Sequence, residues 1–256
     1  MPSSTIAALR AALDAGVDAF ELDVHCTSDG VLVVCHDTTL DRTCNIAGAI
    51  STLTWNEVSE ADNSYWFVNG IGPSTDEGME YPYRGRAPED SSFGVARLQD
   101  VLEMFPDVVL NLDIKQSEPD VEPYEHVLAS MLNKFGRVDD VIVASFLDVA
   151  SERFRATGSK VATSVGTLAT IGFWQHVNMG AEIPPVVADC VALQVPVKID
   201  QLLVVTPAFV ERAHEVGLAV HVWTIDDPAE IAMLQDLGVE GIMTDRPSIL
   251  TGVWWG

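Results

Sequence analysis

The sequence predicts an α/β fold, a TIM-type (β/α)8 barrel built by a chain of 256 residues. Three observations lead to this prediction. Short apolar runs alternate with helical patterns along the chain, as in parallel α/β proteins. Polar residues such as Asp23, Lys115 and Thr224 follow several of these runs, where a barrel builds its active site. Residues 16–23 and 238–245 also echo each other, since each begins with glycine and continues as a short apolar strand that ends in aspartate.

The first element is predicted to be a helix. A hydroxyl residue among Ser3, Ser4 and Thr5 can cap its N-terminus. Apolar residues recur at helical spacing through the following segment, 6–13, and Gly16 stops the helix. A helix followed by a strand fits one repeat of the barrel.

Seven apolar runs are predicted to be barrel strands. They cover residues 18–24, 108–115, 141–146, 160–165, 190–197 and 218–225 and the run that ends at Asp245. An eighth strand is missing from this chain, which begins with the helix that should follow it. The run "VLVVCHD" is interpreted as the return arm of a hairpin inserted after the ELDV strand.

The length and the apolar content predict one domain over residues 1–256. An inserted loop at about 56–94 is rich in glycine, proline and acidic residues. It is too long for a routine connection between barrel elements. Two interpretations stay open, a lid over the mouth of the site and a mobile surface insertion.

The charge excludes two classes of partner. With 14 basic and 38 acidic residues the formal net charge is −24, so nucleic acid and anionic membrane surfaces are repelled. A substrate that carries phosphate would need a bound cation or a local basic group. No apolar run has the length of a membrane span, and no secretory signal is visible, so a cytoplasmic location is expected.

The four cysteines have no spacing typical of a zinc site or a disulfide framework, and we expect them to fill space in the core. The oligomeric state is not predicted.

The stretch "ELDVHCTSDGVLVVCHD" carries a candidate site. Glu21 and Asp23 are two apart on a strand and therefore share a face. If residues 29–30 form a two-residue turn, Asp23 lies opposite His36 and the three side chains meet. A bulge in the hairpin would shift this register by one residue.

Two neighbouring carboxylates repel each other unless a cation lies between them. Carboxylate oxygens suit Mg²⁺ or Ca²⁺, and a histidine beside such an ion can move a proton to or from a phosphate ester. The alternative is a solvated hairpin whose acids keep its edge soluble.

The segment "NLDIK" adds a third carboxylate and a cation. Asp113 and Lys115 alternate onto one face at the end of a strand, where Lys115 could hold a phosphate oxygen. A structural ion pair with a neighbouring acid is the alternative for this lysine.

Together these motifs resemble the glycerophosphodiester phosphodiesterase family of phospholipase-C-like barrels. The segments that carry the resemblance are "GVDAFELDVHCTSDGVLVVCHDTTLDRT", "LNLDIK", "VHVWTIDDP" and "GVEGIMTDRP", in that order. The resemblance covers residues 2–247, and its motifs are specific only in combination.

The resemblance implies a metal-dependent hydrolase that splits small glycerophosphodiesters into an alcohol and glycerol 3-phosphate. It further implies that Glu21, Asp23 and Asp113 bind the cation, Mg²⁺ or Ca²⁺. The resemblance likewise implies that His36 is one of two acid/base histidines, that Lys115 contacts the phosphate and that Trp223 packs against the glycerol. From the residues alone, an aromatic side chain at a strand end such as Trp223 is more often part of the core.

The sequence departs from the family pattern at two places. The usual first strand, which ends in His-Arg-Gly, is absent, and with it one catalytic histidine and a phosphate-binding arginine. Asp113 also replaces the glutamate usual at the third ligand position. His25 shares a face with Asp23 and is a weak candidate to replace the missing histidine.

Three hypotheses follow from these departures. The chain is a fragment of an ordinary phosphodiesterase, a catalytically impaired member that binds metal or phosphodiester without turnover, or a related barrel hydrolase with another phosphodiester substrate.

Overall fold

The computed structural model describes residues 1–255 and shows strands and helices in alternation. The strands are β1 (Ala19–Cys26), β2 (Leu32–Val34), β3 (Phe67–Val68), β4 (Gly72–Pro73), β5 (Ala96–Arg97), β6 (Val109–Ile114), β7 (Val141–Ala144), β8 (Ala162–Thr163), β9 (Ala192–Pro196), β10 (Lys198–Ile199), β11 (Leu202–Leu203), β12 (Ala219–Trp223) and β13 (Gly241–Ile242).

The helices alternate with these strands as the sequence predicts. They are α1 (Ile6–Asp14), α2 (Trp55–Val58), α3 (Leu98–Met104), α4 (Glu125–Lys134), α5 (Asp148–Ala156), α6 (Thr167–Met179), α7 (Pro207–Glu215), α8 (Pro228–Leu237) and α9 (Pro247–Trp254). Short 3-10 turns lie at Ile50–Thr52, Ser91–Phe93 and Pro185–Asp189. No helix within residues 1–255 has the length and apolarity needed to cross a membrane.

The predicted barrel strands lie side by side in chain order. β1, β6, β7 and β8 form one parallel run, and β9, β12 and β13 form another. A parallel bridge between Ser164 and Ala192 connects the two runs. Each of the seven predicted strands is therefore present, and the predicted α/β fold class is confirmed.

The barrel is not closed within residues 1–255. β13 and β1 stand at the two ends of the parallel strands, and no ladder joins them within the described residues. On the side away from β6, β1 pairs with the antiparallel β2, but only over residues 24–26. Among residues 1–255 the first half of β1 has no strand neighbour on that side.

Alternation along β1 separates the core from the site. Phe20, Leu22 and Val24 are buried and pack against helix residues such as Leu102 and Leu128. Phe20 also meets Phe105 edge to face, with 5.2 Å between the ring centroids. The residues between them point to the other face of the strand, the barrel interior.

Three residues were predicted as possible N-caps of helix α1, and in the structure Thr5 is the N-cap. Its hydroxyl accepts a hydrogen bond from the Ala8 amide at 3.1 Å. Gly16 follows the helix with a φ of 90°, a conformation that favours glycine. Leu13, predicted on the apolar face, is exposed because it lies in the last turn.

The predicted register of the hairpin is wrong by one residue. Asp23 does not lie opposite His36, because its carbonyl accepts a hydrogen bond from the Cys35 amide at 3.0 Å. The turn causes the shift. The Thr27 amide donates to the Val31 carbonyl at 2.9 Å, and the turn between these two residues therefore contains three residues instead of two.

The inserted segment, predicted at 56–94, contains the short β3–β4 hairpin and an aromatic cluster. The Arg84 guanidinium stacks on Tyr65, Trp66 and Tyr81, at 3.5 Å from the Tyr81 ring centroid. Stacking of this kind orders the segment without a large apolar core. Its role as a lid and the single-domain assignment stay predictions.

The cysteines fill space, as predicted. Cys35, Cys44 and Cys190 are buried, Cys26 is partly buried, and all four are free thiols. Burial raises the pKa of Cys35 to about 11 and that of Cys44 to about 12, which suppresses thiolate formation.

Candidate functional site

Three carboxylates meet where the middle of β1 pairs with the last residues of β6. Asp23 and Asp113 are directly paired in the parallel register of these two strands, and Glu21 precedes Asp23 on the same face of β1. One carboxylate oxygen from each residue lies within 4.8 Å of the other two. The structure thus brings together the three residues that the sequence predicts as metal ligands.

Lys115 directly follows β6 and lies against two of these carboxylates. Its Nζ is 3.0 Å from Asp23 Oδ1 and 3.4 Å from Asp113 Oδ2. The Lys115 amide donates to the Val24 carbonyl at 3.3 Å and so continues the pairing beyond the strand. This backbone contact holds the lysine over the acidic cluster.

The crowding of these groups shifts their pKa values. Desolvation, together with the negative charges of Asp23 and Asp113, raises the pKa of Glu21 to about 8. The Glu21 side chain is nevertheless accessible from the open side of β1. Burial raises the pKa of Asp113 to about 6 even though Lys115 opposes the shift. Both carboxylates lack sufficient compensating positive charge.

A hard divalent cation fits this group of residues. Asp113 is buried, and its Oδ1 has no hydrogen-bond partner among residues 1–255. A buried acceptor of this kind is costly unless an ion or a donor satisfies it. The donors are all carboxylate oxygens, the set that Mg²⁺ and Ca²⁺ prefer over zinc.

His36 lies in the loop after β2 as part of a chain of polar contacts. Its Nδ1 is 2.7 Å from Asp37 Oδ1, and Arg42 binds the same carboxylate through Nε at 2.5 Å and a terminal nitrogen at 3.0 Å. The hydrogen bond from Arg42 lowers the pKa of Asp37 to about 2. Because ionised Asp37 only accepts, Nδ1 of His36 donates and Nε2 is left for a ligand.

The loop keeps His36 within electrostatic reach of the acidic cluster despite the shifted register. A positive charge on His36 lowers the pKa of Asp113 and of Asp245, so the imidazole lies within electrostatic reach of both. Its side chain is 63% exposed, and the ring is open to a bound molecule.

Trp223 is the last residue of β12 and packs against Phe146, an aromatic residue that was not predicted from the sequence. The rings of Trp223 and Phe146 meet edge to face, with 5.4 Å between their centroids. Lys115 Nζ lies 5.8 Å from the Phe146 centroid. Phe146 lies just after the end of β7. A position at a strand end also pointed to Lys115, and the same criterion could have identified Phe146 from the sequence.

Asp245 follows β13 and lies within electrostatic reach of Glu21 and Asp23. Desolvation raises its pKa, with further contributions from Asp226 and Asp23. Asp226 accepts hydrogen bonds from the Thr244 hydroxyl at 2.7 Å and from the Asp245 amide at 3.0 Å. The "TDRP" turn is therefore fixed by Asp226, which was not singled out from the sequence.

His25 is buried, and its Nδ1 lies 3.0 Å from the side-chain oxygen of Gln116. This burial does not favour the proposal that it replaces an acid/base histidine. His214 Nε2 lies 2.8 Å from Glu240 Oε1, and His221 Nδ1 lies 3.4 Å from Gln194 Nε2.

Comparison with known proteins decides the family. Residues 1–249 match the Glycerophosphoryl diester phosphodiesterase family. The chain belongs to this family. The prediction drawn from the resemblance is therefore confirmed at the level of family and fold.

Curated relatives of this phosphodiesterase-family chain have matching names and lengths. A protein of Mycobacterium tuberculosis named "Probable glycerophosphodiester phosphodiesterase 2" is 30% identical over 256 residues, which covers 99% of this chain and 85% of the relative. A "Glycerophosphodiester phosphodiesterase" of Caldanaerobacter subterraneus is 26% identical, with 98% of this chain and 91% of the relative covered.

Solved structures show the same fold. An Oleispira antarctica phosphodiesterase in complex with the product sn-glycerol-3-phosphate has a TM-score of 0.73 and 19% identity, covering 100% of this chain and 92% of that one. A glycerophosphoryl diester phosphodiesterase domain from Mycobacterium tuberculosis has a TM-score of 0.78 and 17% identity, covering 100% and 94%. At these identities the likeness concerns the fold alone.

Proposed function

We propose that this family member hydrolyses glycerophosphodiesters to an alcohol and glycerol 3-phosphate with the help of a divalent cation. The observation that carries the proposal is the carboxylate cluster of Glu21, Asp23 and Asp113 beneath Lys115, on the paired strands β1 and β6. The names of the relatives support the substrate class.

The three carboxylates would hold the cation, Mg²⁺ or Ca²⁺. When bound, the ion would polarise the phosphoryl group and favour ionisation of a water molecule. The raised pKa values of Glu21 and Asp113 support this assignment, because a cation would restore both groups to their ionised forms.

Lys115 would bind a phosphate oxygen. Its ammonium group already lies over the cluster, and it is one of only four lysines in the chain. Charge on the phosphate oxygens increases as water attacks phosphorus, and a fixed ammonium group stabilises that charge. Trp223 would pack against the glycerol moiety beside Lys115.

His36 would transfer the proton. Asp37 accepts from Nδ1, so the imidazole, when it is protonated at both nitrogens, can donate from Nε2 to the oxygen of the departing alcohol. Arg42 would act through Asp37 by holding its carboxylate in place. The attacking water would form a new phosphorus–oxygen bond as the bond to the alcohol breaks. The alcohol would leave with the proton from Nε2, and the water would lose a proton to solvent, from which Nε2 is protonated again.

The decisive test is hydrolysis of glycerophosphocholine by the purified chain, followed as release of glycerol 3-phosphate. We expect activity with Mg²⁺ or Ca²⁺, loss in EDTA and recovery when the ion is restored. Asp23→Asn and Asp113→Asn should abolish the activity, whereas the matched control Asp18→Asn, at an exposed carboxylate before β1, should keep it.

Binding of the cation and of glycerophosphocholine without turnover would instead identify a catalytically impaired member. The family relationship and the intact cluster do not favour that alternative. Turnover that persists in EDTA would contradict the cation dependence.

A further inference from the structure

His25 is a buried histidine that the proposed mechanism does not use. It lies two residues after Asp23 on β1, shares the face of that strand with Asp23 and is fully buried. Its Nε2 has no hydrogen-bond partner among residues 1–255. Burying a polar nitrogen in this way is costly, and such a group calls for an explanation.

The ring of His25 holds the segment that follows β6. His25 Nδ1 lies 3.0 Å from the side-chain oxygen of Gln116, and because that oxygen only accepts, Nδ1 is the donor. Gln116 comes directly after Lys115, and its amide donates to the Tyr124 hydroxyl at 3.2 Å. Tyr124 therefore fixes the backbone of Gln116, and His25 fixes its side chain.

The same ring is close to the loop that carries His36. The Cys35 amide donates to the Asp23 carbonyl at 3.0 Å, which brings the end of β2 back across β1. Burial lowers the pKa of His25, and the hydrogen bond to Gln116 and the backbone of His36 both oppose that shift. The His36 backbone is therefore within hydrogen-bonding reach of the His25 ring.

His36 has few other contacts that relate it to the barrel. Its side chain is exposed, and its Nδ1 binds Asp37, the next residue of the same loop. Arg42, which also binds Asp37, belongs to the segment that follows. These contacts orient the imidazole within its own loop. The contact with His25 relates that loop to β1 and, through Gln116, to the end of β6.

We propose that His25 is a positioning residue for proton transfer. By contacting the His36 backbone and the Gln116 side chain together, it holds His36 at a fixed distance from Lys115 and from the phosphate that Lys115 would bind. This inference rests on the proposed function, in which His36 gives a proton to the leaving alcohol. The His25 ring is fully buried, so it acts through His36 and does not touch the substrate.

The test compares two leaving groups. Choline leaves as an alcohol and needs the proton, whereas p-nitrophenolate leaves without one. His25→Leu should lower kcat for glycerophosphocholine by about tenfold or more with little change in KM, because the proton donor is misplaced. Hydrolysis of the p-nitrophenyl ester of glycerol 3-phosphate should stay close to the native rate. In the His36→Gln background the same substitution should cause no further loss.

Three further variants guard against a fold defect in His25→Leu. Gln116→Leu removes the other partner at a half-buried position and should cause the same selective loss. His25→Asn places an amide donor at the position of Nδ1 and should restore part of the rate. His126→Leu changes an exposed histidine on α4, and as the matched control it should leave both rates unchanged.

A second measurement does not depend on turnover. The ring nitrogens of His36, followed by ¹⁵N NMR in EDTA and identified by their absence in His36→Gln, report the tautomer and mobility of the imidazole. His25→Leu and Gln116→Leu should shift or broaden these signals, whereas His126→Leu should not. Unchanged His36 signals, or a loss of rate that is equal for the two leaving groups, would overturn the inference.

The two measurements separate this inference from the proposed function. A native protein that hydrolyses neither substrate would refute the proposed function, and the NMR comparison would still decide whether His25 positions His36. Normal native hydrolysis without a selective loss in His25→Leu and Gln116→Leu would refute only the role of His25.

Discussion

Lys115 Nζ lies 3.0 Å from Asp23 Oδ1, so the lysine partly neutralises the cluster in the absence of a cation. Burial opposes the charged form of Lys115, but Asp23 and Asp113 together raise its pKa, so the ammonium group stays protonated. The same contacts put the lysine in competition with any cation for carboxylate oxygens. A bound ion would release Lys115 toward the phosphate.

Lys115→Met should separate the contribution of the lysine to phosphate binding from its competition with the cation. Loss of the ammonium group should lower kcat/KM for glycerophosphocholine on the order of 10²-fold, because a group that stabilises the transition state is removed. The same variant should bind Mg²⁺ more tightly, on the order of tenfold, because a neighbouring positive charge is gone. Calorimetry and steady-state kinetics measure the two quantities.

The control for this variant is Lys134→Met, at an exposed lysine at the end of α4. It should change neither value. Weaker Mg²⁺ binding in Lys115→Met would show that the lysine supports the cation instead of competing with it.

Stability without a cation should fall as the pH rises through the range in which Glu21 and Asp113 ionise. Their folded-state pKa values, about 8 and about 6, lie above the ordinary values of 4.5 and 3.8. Between the ordinary and the raised pKa values the folded state binds more protons than the unfolded state, so stability falls with pH. The contributions of Glu21 and Asp113 to the free energy of unfolding are therefore fully present below about pH 4 and are lost by about pH 8.

Thermal unfolding in EDTA from pH 4 to pH 8 measures this effect. Because other carboxylates also titrate, the informative quantity is the difference between the native protein and Glu21→Gln. The variant should lose less stability as the pH rises. The increase in Tm on adding Mg²⁺ should also be larger at pH 8 than at pH 5. Parallel pH curves for the two proteins would contradict the raised pKa of Glu21.

The sequence predicts the barrel strands well because their signals are local. Each strand is a short apolar run beside a helical pattern, and burial on both sides makes that run conspicuous. The register of the hairpin was harder to predict. Whether its turn holds two or three residues depends on Thr27, whose hydroxyl accepts from the Val31 amide at 2.9 Å and donates to Asp29 Oδ1 at 2.6 Å. Spacing alone cannot predict that side-chain arrangement.

For the site, alternation along a strand is enough to bring Glu21, Asp23 and Asp113 together, because neighbouring parallel strands align their ends. Residues that act between distant elements are not predictable in this way. Phe146 follows β7 and meets Trp223 at the end of β12, although β8 and β9 lie between these two strands. Such contacts depend on how the sheet curves, which no local pattern encodes.

His36→Gln should lower the hydrolysis rate by about 10²- to 10⁴-fold, the usual contribution of a positioned acid or base. Mg²⁺ affinity should be unchanged, because the proposed ligands are the carboxylates of β1 and β6. Asp37→Asn should cause a smaller loss, since the imidazole remains but loses the acceptor that orients it. The pH profile of kcat should shift in Asp37→Asn.

His214→Gln is the matched control, since it changes an exposed histidine paired with Glu240 outside the candidate site. It should leave both rate and pH profile unchanged. Wild-type activity in His36→Gln would remove His36 from the mechanism.

The hydroxyl of Tyr124 joins the two strand ends that carry the site. It donates to the Val24 carbonyl at 2.7 Å and accepts from the Gln116 amide at 3.2 Å. Val24 adjoins Asp23 and Gln116 adjoins Lys115, so this buried contact fixes the distance between the carboxylate and the ammonium group. Tyr124→Phe would leave the Gln116 amide without this partner, whereas the Val24 carbonyl would keep the 3.3 Å hydrogen bond from the Lys115 amide.

We expect Tyr124→Phe to lower the free energy of unfolding by about 1 to 3 kcal/mol, the cost of leaving a buried polar group unsatisfied. Denaturant titration measures this loss. Affinity for Mg²⁺ and kcat should both decrease, because Asp23 and Lys115 are held less firmly. Tyr81→Phe is the control, since its hydroxyl is exposed and donates only to the Asp76 carbonyl at 3.3 Å. If Tyr124→Phe loses stability but keeps native Mg²⁺ affinity and kcat, the hydroxyl supports the fold without positioning the site.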